Sequence, residues 1–223
     1  FADGLNATQN FATPGGSAVE AVEFGNIPLV MKGVLLQRQT WVLSGGLSVV
    51  LPTGPNAVEL ADSGGVMFES TRVDNEAVHL QPFLGWLWTP NQQWFAEAFV
   101  QTDFDATGHS VTIRHFLIPD TVGDLQEQSL LMMDLKLGRW IYRNPCAYGI
   151  TGIAPAVELH YTTTMQDTDA VGYVGNISQN RVDMLNITGG IHVQLGSNAD
   201  ATFFASAPLR GDRVDLPTGF QTT

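Results

Sequence analysis

The chain has 223 residues, 44% of them hydrophobic and only 14% charged, so with 23 glycines its polar content rests on Ser, Thr, Asn and Gln. That length suits one domain of ordinary size or one mid-sized barrel. A formal net charge of −12, from 10 basic and 22 acidic residues, argues against nucleic acid as a partner, and a single cysteine, Cys146, excludes an internal disulfide and a cysteine-based zinc site.

Residues 1–26, rich in Gly, Ala, Asn and Thr, read as a loop, a tail or a degenerate first strand, and residues 27–223 as a barrel. No run of about 18 apolar residues occurs, so a membrane crossing would need closed strands, whose backbone amides pair internally. From residue 27 onward the signal is period-two alternation in segments of roughly 10 residues, the length a tilted strand needs to cross hydrocarbon. Segments 27–37 (IPLVMKGVLLQ) and 40–52 (TWVLSGGLSVVLP) carry it weakly. In 77–88, Val78, Leu80, Pro82, Leu84, Trp86 and Trp88 face one way, and His79, Gln81, Phe83 and Gly85 the other. In 93–104, Glu97, Gln101 and Asp103 share a face with Phe95 and Phe99, which predicts a partly filled lumen.

Segment 129–142 sets Leu131, Met133, Leu135, Leu137 and Ile141 against Met132, Asp134, Lys136, Gly138 and Trp140. Segment 152–164 sets Ile153, Pro155, Val157, Leu159 and Tyr161 against Ala154, Ala156, Glu158, His160 and Thr162. Segment 182–196 sets Leu185, Ile187, Ile191, Val193 and Leu195 against Asn186, Thr188, His192 and Gln194, and weaker strands are expected at 199–209 and 213–222. An even strand number is usual in such barrels, so one more strand is expected from residues 1–26 or from chain outside this sequence.

The links alternate short and long, with the long ones near 53–76, 105–127 and 164–181, and these carry acidic residues such as Glu59, Glu76, Asp124 and Asp167. That asymmetry is the pattern of tight turns on one side of an outer membrane and larger loops on the other. Trp41, Trp86, Trp88, Trp94, Trp140 and Tyr142 fall near strand ends, where a belt of membrane-interface aromatics belongs; the plainer reading is cross-strand packing.

The titratable groups expected to point inward are Lys32, His79, Glu97, Asp103, Asp134, Lys136, Glu158, His160 and His192. They would line a permeation path or form a mutually satisfied polar plug. Asp103, Asp105, Thr107 and Gly108 start like a calcium loop, but Arg114 stands where the bidentate Glu is required. Asp167 and Asp169 offer only an isolated pair. The five histidines show no metal-binding spacing and no nucleophile elbow occurs, so no metal, no cofactor, no catalytic residue and no enzymatic activity are expected.

The phrases SGGLSVVLPTGP (44–55), FLGWLWTPNQQWFAEAFVQTDF (83–104), ITGIAPAVELHYTTTMQDTD (150–169) and LNITGGIHVQLG (185–196) resemble a bacterial outer-membrane barrel family. It is the family named after the meta-pathway of phenol degradation, whose members are described as transporters. The likeness runs from about residue 27 to the C-terminus, through scaffold phrases, and lacks the terminal Phe of that family. It implies a barrel of roughly a dozen strands passing small solutes, hydrophobic ones among them, with no catalytic motif to carry over.

The expectation is therefore an all-β, antiparallel, up-and-down transmembrane β-barrel of about 10–12 strands in a Gram-negative outer membrane. It would act as a porin-like passive pore or transporter, or as a structural part of the envelope. Its partners would be outer-membrane lipid, with other envelope proteins as further candidates, and its oligomeric state is open. The rival is a soluble β-sandwich or jelly roll that assembles into a larger shell or binds a ligand.

Overall fold

A computed structural model describes residues 24–63, 65–91, 93–114, 120–169, 171–172, 182–196 and 199–210. The strands are β1 (Ile27–Gln37), β2 (Trp41–Leu51), β3 (Ala57–Ser63), β4 (Val66–Val73), β5 (His79–Trp88), β6 (Trp94–Asp105) and β7 (His109–Ile113). They continue with β8 (Thr121–Leu125), β9 (Ser129–Arg139), β10 (Tyr142–Arg143), β11 (Ile150–Gln166), β12 (Asp183–Leu195) and β13 (Ala199–Arg210). No helix among the described residues is long and apolar enough to cross a membrane, which says nothing of strands.

The long alternating segments form a nine-stranded sheet in the order β1-β2-β5-β6-β9-β11-β12-β13, with β10 beside β11. Every pairing in it is antiparallel, as short turns between chain neighbours dictate. Register keeps like with like. Leu159 stands between Leu135 and Ile187, while Glu158 stands between Lys136 and Thr188. A slip of one residue would exchange the two faces, so the alternation that defines the strands also fixes their pairing.

The charged face is concave. In β9 the apolar positions Met133, Leu135 and Leu137 are exposed while Asp134, Lys136 and Gly138 are wholly or partly shielded, although among the described residues no strand of another layer packs on either face. The Lys136 ammonium also lies 5.6 Å from the ring centroid of Phe204, across three strand spacings, which would be about 14 Å in a flat sheet. Aromatic rings on this face lie over glycines of neighbouring strands. Phe95 covers Gly138 and Phe204 covers Gly190, so closely that a β-carbon at either glycine would overlap the ring.

Closure is where the expected barrel is corrected. Among the described residues β1 and β13 each pair on one side only, so the sheet has two open edges and nine strands rather than a closed ring of 10–12. The segment 213–222, expected to be a strand, lies outside the described residues, as do 1–23.

Two of the expected long loops are ordered as strands. From the links after β2 and β6 comes a second, four-stranded antiparallel sheet, β3-β4-β7-β8. Its strands are short, and β7 alternates His109, Val111 and Ile113 with Ser110 and Thr112. Val111 and Ile113, the largest fully buried side chains among the described residues, pack with Leu125, Val171 and Val73 into a small dry core. The short links, β1–β2, β5–β6, β9–β11 and β12–β13, all lie at the other end of the large sheet.

Candidate functional site

At mid-height on the concave face, charges form a ladder across three strands. The Lys136 ammonium is 2.9 Å from Glu158 and 4.0 Å from Glu97, with 18%, 20% and 49% of their side chains exposed. His160 Nε2 stands 3.5 Å from Glu158, and its Nδ1 is 2.7 Å from Asp134. Strand register alone puts these groups in reach: Glu97 and Glu158 both sit opposite Lys136, and His160 sits opposite Asp134. One ammonium and one imidazole thus face three carboxylates, and half-burial makes each contact worth more than at an open surface.

His192 lies beside the ladder, its Nδ1 2.9 Å from Thr202 Oγ1 and its ring edge-on to Phe204 at 5.1 Å. Towards the short-turn end the same face turns apolar. Phe95, Ala154 and Ala156 are buried there and Trp140 packs on them, 6.2 Å from Phe95 between ring centroids.

At the opposite rim the large sheet meets the small one. His79 Nδ1 is 3.0 Å from Asp103 Oδ1, and Gln81 donates to the other Asp103 oxygen at 2.9 Å. His79 Nε2 is 3.8 Å from Glu127, and His109 Nε2 is 3.1 Å from the same carboxylate. Asp105, which carries the failed calcium spacing, is instead a turn-former: its carboxylate accepts the amides of Gly108 at 2.7 Å, Glu127 at 2.9 Å and Thr107 at 3.1 Å. Burial alone would raise the Asp105 carboxyl, but these amides outweigh it and hold it below the ordinary carboxylate value.

The inward-facing residues read from the sequence separate into two groups and an outlier. Glu97, Asp134, Lys136, Glu158 and His160 form the ladder with His192 beside it; His79 and Asp103 belong to the rim; Lys32 is exposed on edge strand β1. The aromatic positions also divide. Trp41 sits opposite Trp88, and Trp86 stacks near Trp88 at 6.4 Å. Trp94 lies under the Arg139 guanidinium at 5.2 Å and Tyr142 is exposed, all at the short-turn end. Trp140 differs from the expected belt: it turns onto the concave face, over Gly152.

Glu127 and His109 carry no site signal in the sequence, because both lie in an acidic, Gly-bearing stretch without long alternation, and only pairing of β7 with β8 brings them to His79. Comparison with protein-family models, with curated proteins and with solved structures finds no match.

Proposed function

We propose that this chain forms the wall of an outer-membrane β-barrel, with the convex face against lipid and the concave face lining a narrow, charged passage for small solutes. The observation that carries this is the medium the convex face requires. Leu84, Leu135, Leu137 and Leu159 are 46%, 51%, 50% and 36% exposed within their strands, with no second sheet over them among the described residues. Soluble proteins seldom leave an apolar area of that extent to water, whereas hydrocarbon demands it.

The ends fit the same medium. The crossing stretch runs from the tryptophan row to the level of Leu80 and Phe104, which pair, and leaves His79 and Asp105 at the rim, beyond the crossing stretch. Closure would come from pairing β1 with β13, directly or through further strands, and would satisfy both open edges. A sandwich or jelly roll would bury this face against another layer, and none is present among the described residues.

The test is single-channel recording from the full chain in planar bilayers. Discrete current steps are expected, and Lys136→Gln, which removes the cation held between Glu97 and Glu158, should shift selectivity towards cations. Folded protein that stays in solution without detergent and gives no current would overturn the reading.

A further inference from the structure

We propose that His79, His109 and Glu127 bind one divalent transition-metal ion, with zinc as the representative, and that the ion clamps the small sheet to the rim of the large one. The inference does not depend on the membrane reading. The three residues come from β5, β7 and the link between β8 and β9, and one ligand atom from each lies within 4.8 Å of the others. Ligands bound to zinc at about 2.0–2.2 Å stand somewhat over 3 Å apart, so a small contraction closes the set.

The orientation of the two rings supports the same set. His109 is buried, and its Nδ1 is 3.0 Å from the carbonyl oxygen of Asp74, closer than the 3.4 Å to the Glu76 amide. A carbonyl oxygen only accepts, so the shorter of the two contacts suits the tautomer with its proton on Nδ1. His79 Nδ1 likewise points at the Asp103 carboxylate, which is positioned further by Gln81. Both Nε2 atoms are then turned on Glu127.

At 3.8 Å the His79 Nε2 is beyond hydrogen-bond reach of Glu127, so that nitrogen faces the carboxylate without bonding to it. With a metal, both rings are neutral, each Nε2 offers its lone pair, and each Nδ1–H keeps its oxygen acceptor. That pairing of a ligating nitrogen with an oxygen-held partner nitrogen is what orients histidines in metal sites. Two imidazoles select a borderline transition metal over calcium or magnesium, which prefer oxygen throughout.

The clamp has something to hold. Among the described residues no strand of the small sheet packs on a strand of the large one, so their joint consists of link segments and side chains such as these. The Glu127 side chain is 48% exposed, which leaves the remaining coordination position to water.

The experiment titrates the folded full chain, in whichever of buffer or detergent keeps it folded, with Zn²⁺ and with Co²⁺ as a spectroscopic substitute. One equivalent should bind, Co²⁺ should develop the intense visible absorption of low-coordinate sites, and Zn²⁺ should raise the thermal midpoint. His109→Gln and Glu127→Gln should weaken binding by about 100-fold or more, and Asp103→Asn, which spares all three ligands, by about 10–100-fold. Glu127, exposed and outside any strand, gives a variant that folds if His109→Gln does not. Failure of folded wild type to take up either ion, or uptake that survives both ligand substitutions, would overturn the site.

Discussion

The two sheets of this protein solve the same problem in opposite ways. The small sheet is built of strands of 5 to 8 residues, yet it owns the two largest fully buried side chains among the described residues, Val111 and Ile113. The large sheet has strands of 10 to 17 residues, β10 apart, and among its described residues buries no apolar side chain larger than alanine besides Phe95. Its apolar residues line up in register and then stay exposed. A short sheet in water must make its own dry interior; a sheet whose oily face meets hydrocarbon keeps its core outside, and needs its interior only for polar groups to satisfy one another.

The sharpest way to break that comparison is to charge the convex face. Leu135 and Leu159 are cross-strand neighbours at mid-height, and replacing each with Arg should cost about 2–4 kcal/mol per site if they face lipid. If they face water, substitutions at such exposed positions should stay within about 0.5 kcal/mol. Urea titration of folding into lipid vesicles, for each single variant and the pair, reads the difference directly.

How much of this was legible beforehand follows from where periodicity is long. Strands of ten or more residues repeat the alternation often enough to fix both existence and face, which is why Glu158 and Lys136 could be placed on one side before their contact was known. β7 and β8 have five residues each, too few repeats to stand out from acidic, Gly-bearing links, so the small sheet read as loop. The rim cluster was hidden for the same reason: His109 and Glu127 reach His79 only through pairing of those short strands. Trp140 shows a different limit. Its parity in the sequence already set it with Lys136 and Gly138, but its nearness to a turn suggested the belt, and packing on Phe95 decided for parity.

The comparison also has a version inside the large sheet, between its two faces. On the concave face Gly138 lies under the Phe95 ring, and a methyl there must displace it; on the convex face Gly189 has nothing near enough for a methyl to touch. Gly138→Ala should therefore cost about 1–3 kcal/mol. Gly189→Ala should stay within about 0.5 kcal/mol, as expected of a site without contacts. Phe95→Ala combined with Gly138→Ala should cost less than the sum of the two single changes, because the clash disappears with the ring, and the double-mutant cycle from denaturant unfolding measures that relief.

The most local effect expected lies at the joint between the sheets and should be confined to one of them. Asp105 accepts the amides of Thr107 and Gly108 on one oxygen and that of Glu127 on the other, so Asn in its place must turn an NH₂ towards one of these donors. Because the folded carboxyl titrates below its ordinary value, it contributes stability that is present at neutral pH and is lost as the pH falls past the ordinary carboxylate value and through the folded one. Asp105→Asn should cost about 1 kcal/mol at neutral pH, seen as roughly fivefold faster hydrogen exchange at the β7 amides. It should also flatten the acid dependence there and leave β9 and β11 unchanged. Equal loss of protection in both sheets would mean that they unfold as one body, because a wall held by lipid, as proposed, would have no reason to register a loosened turn at its rim.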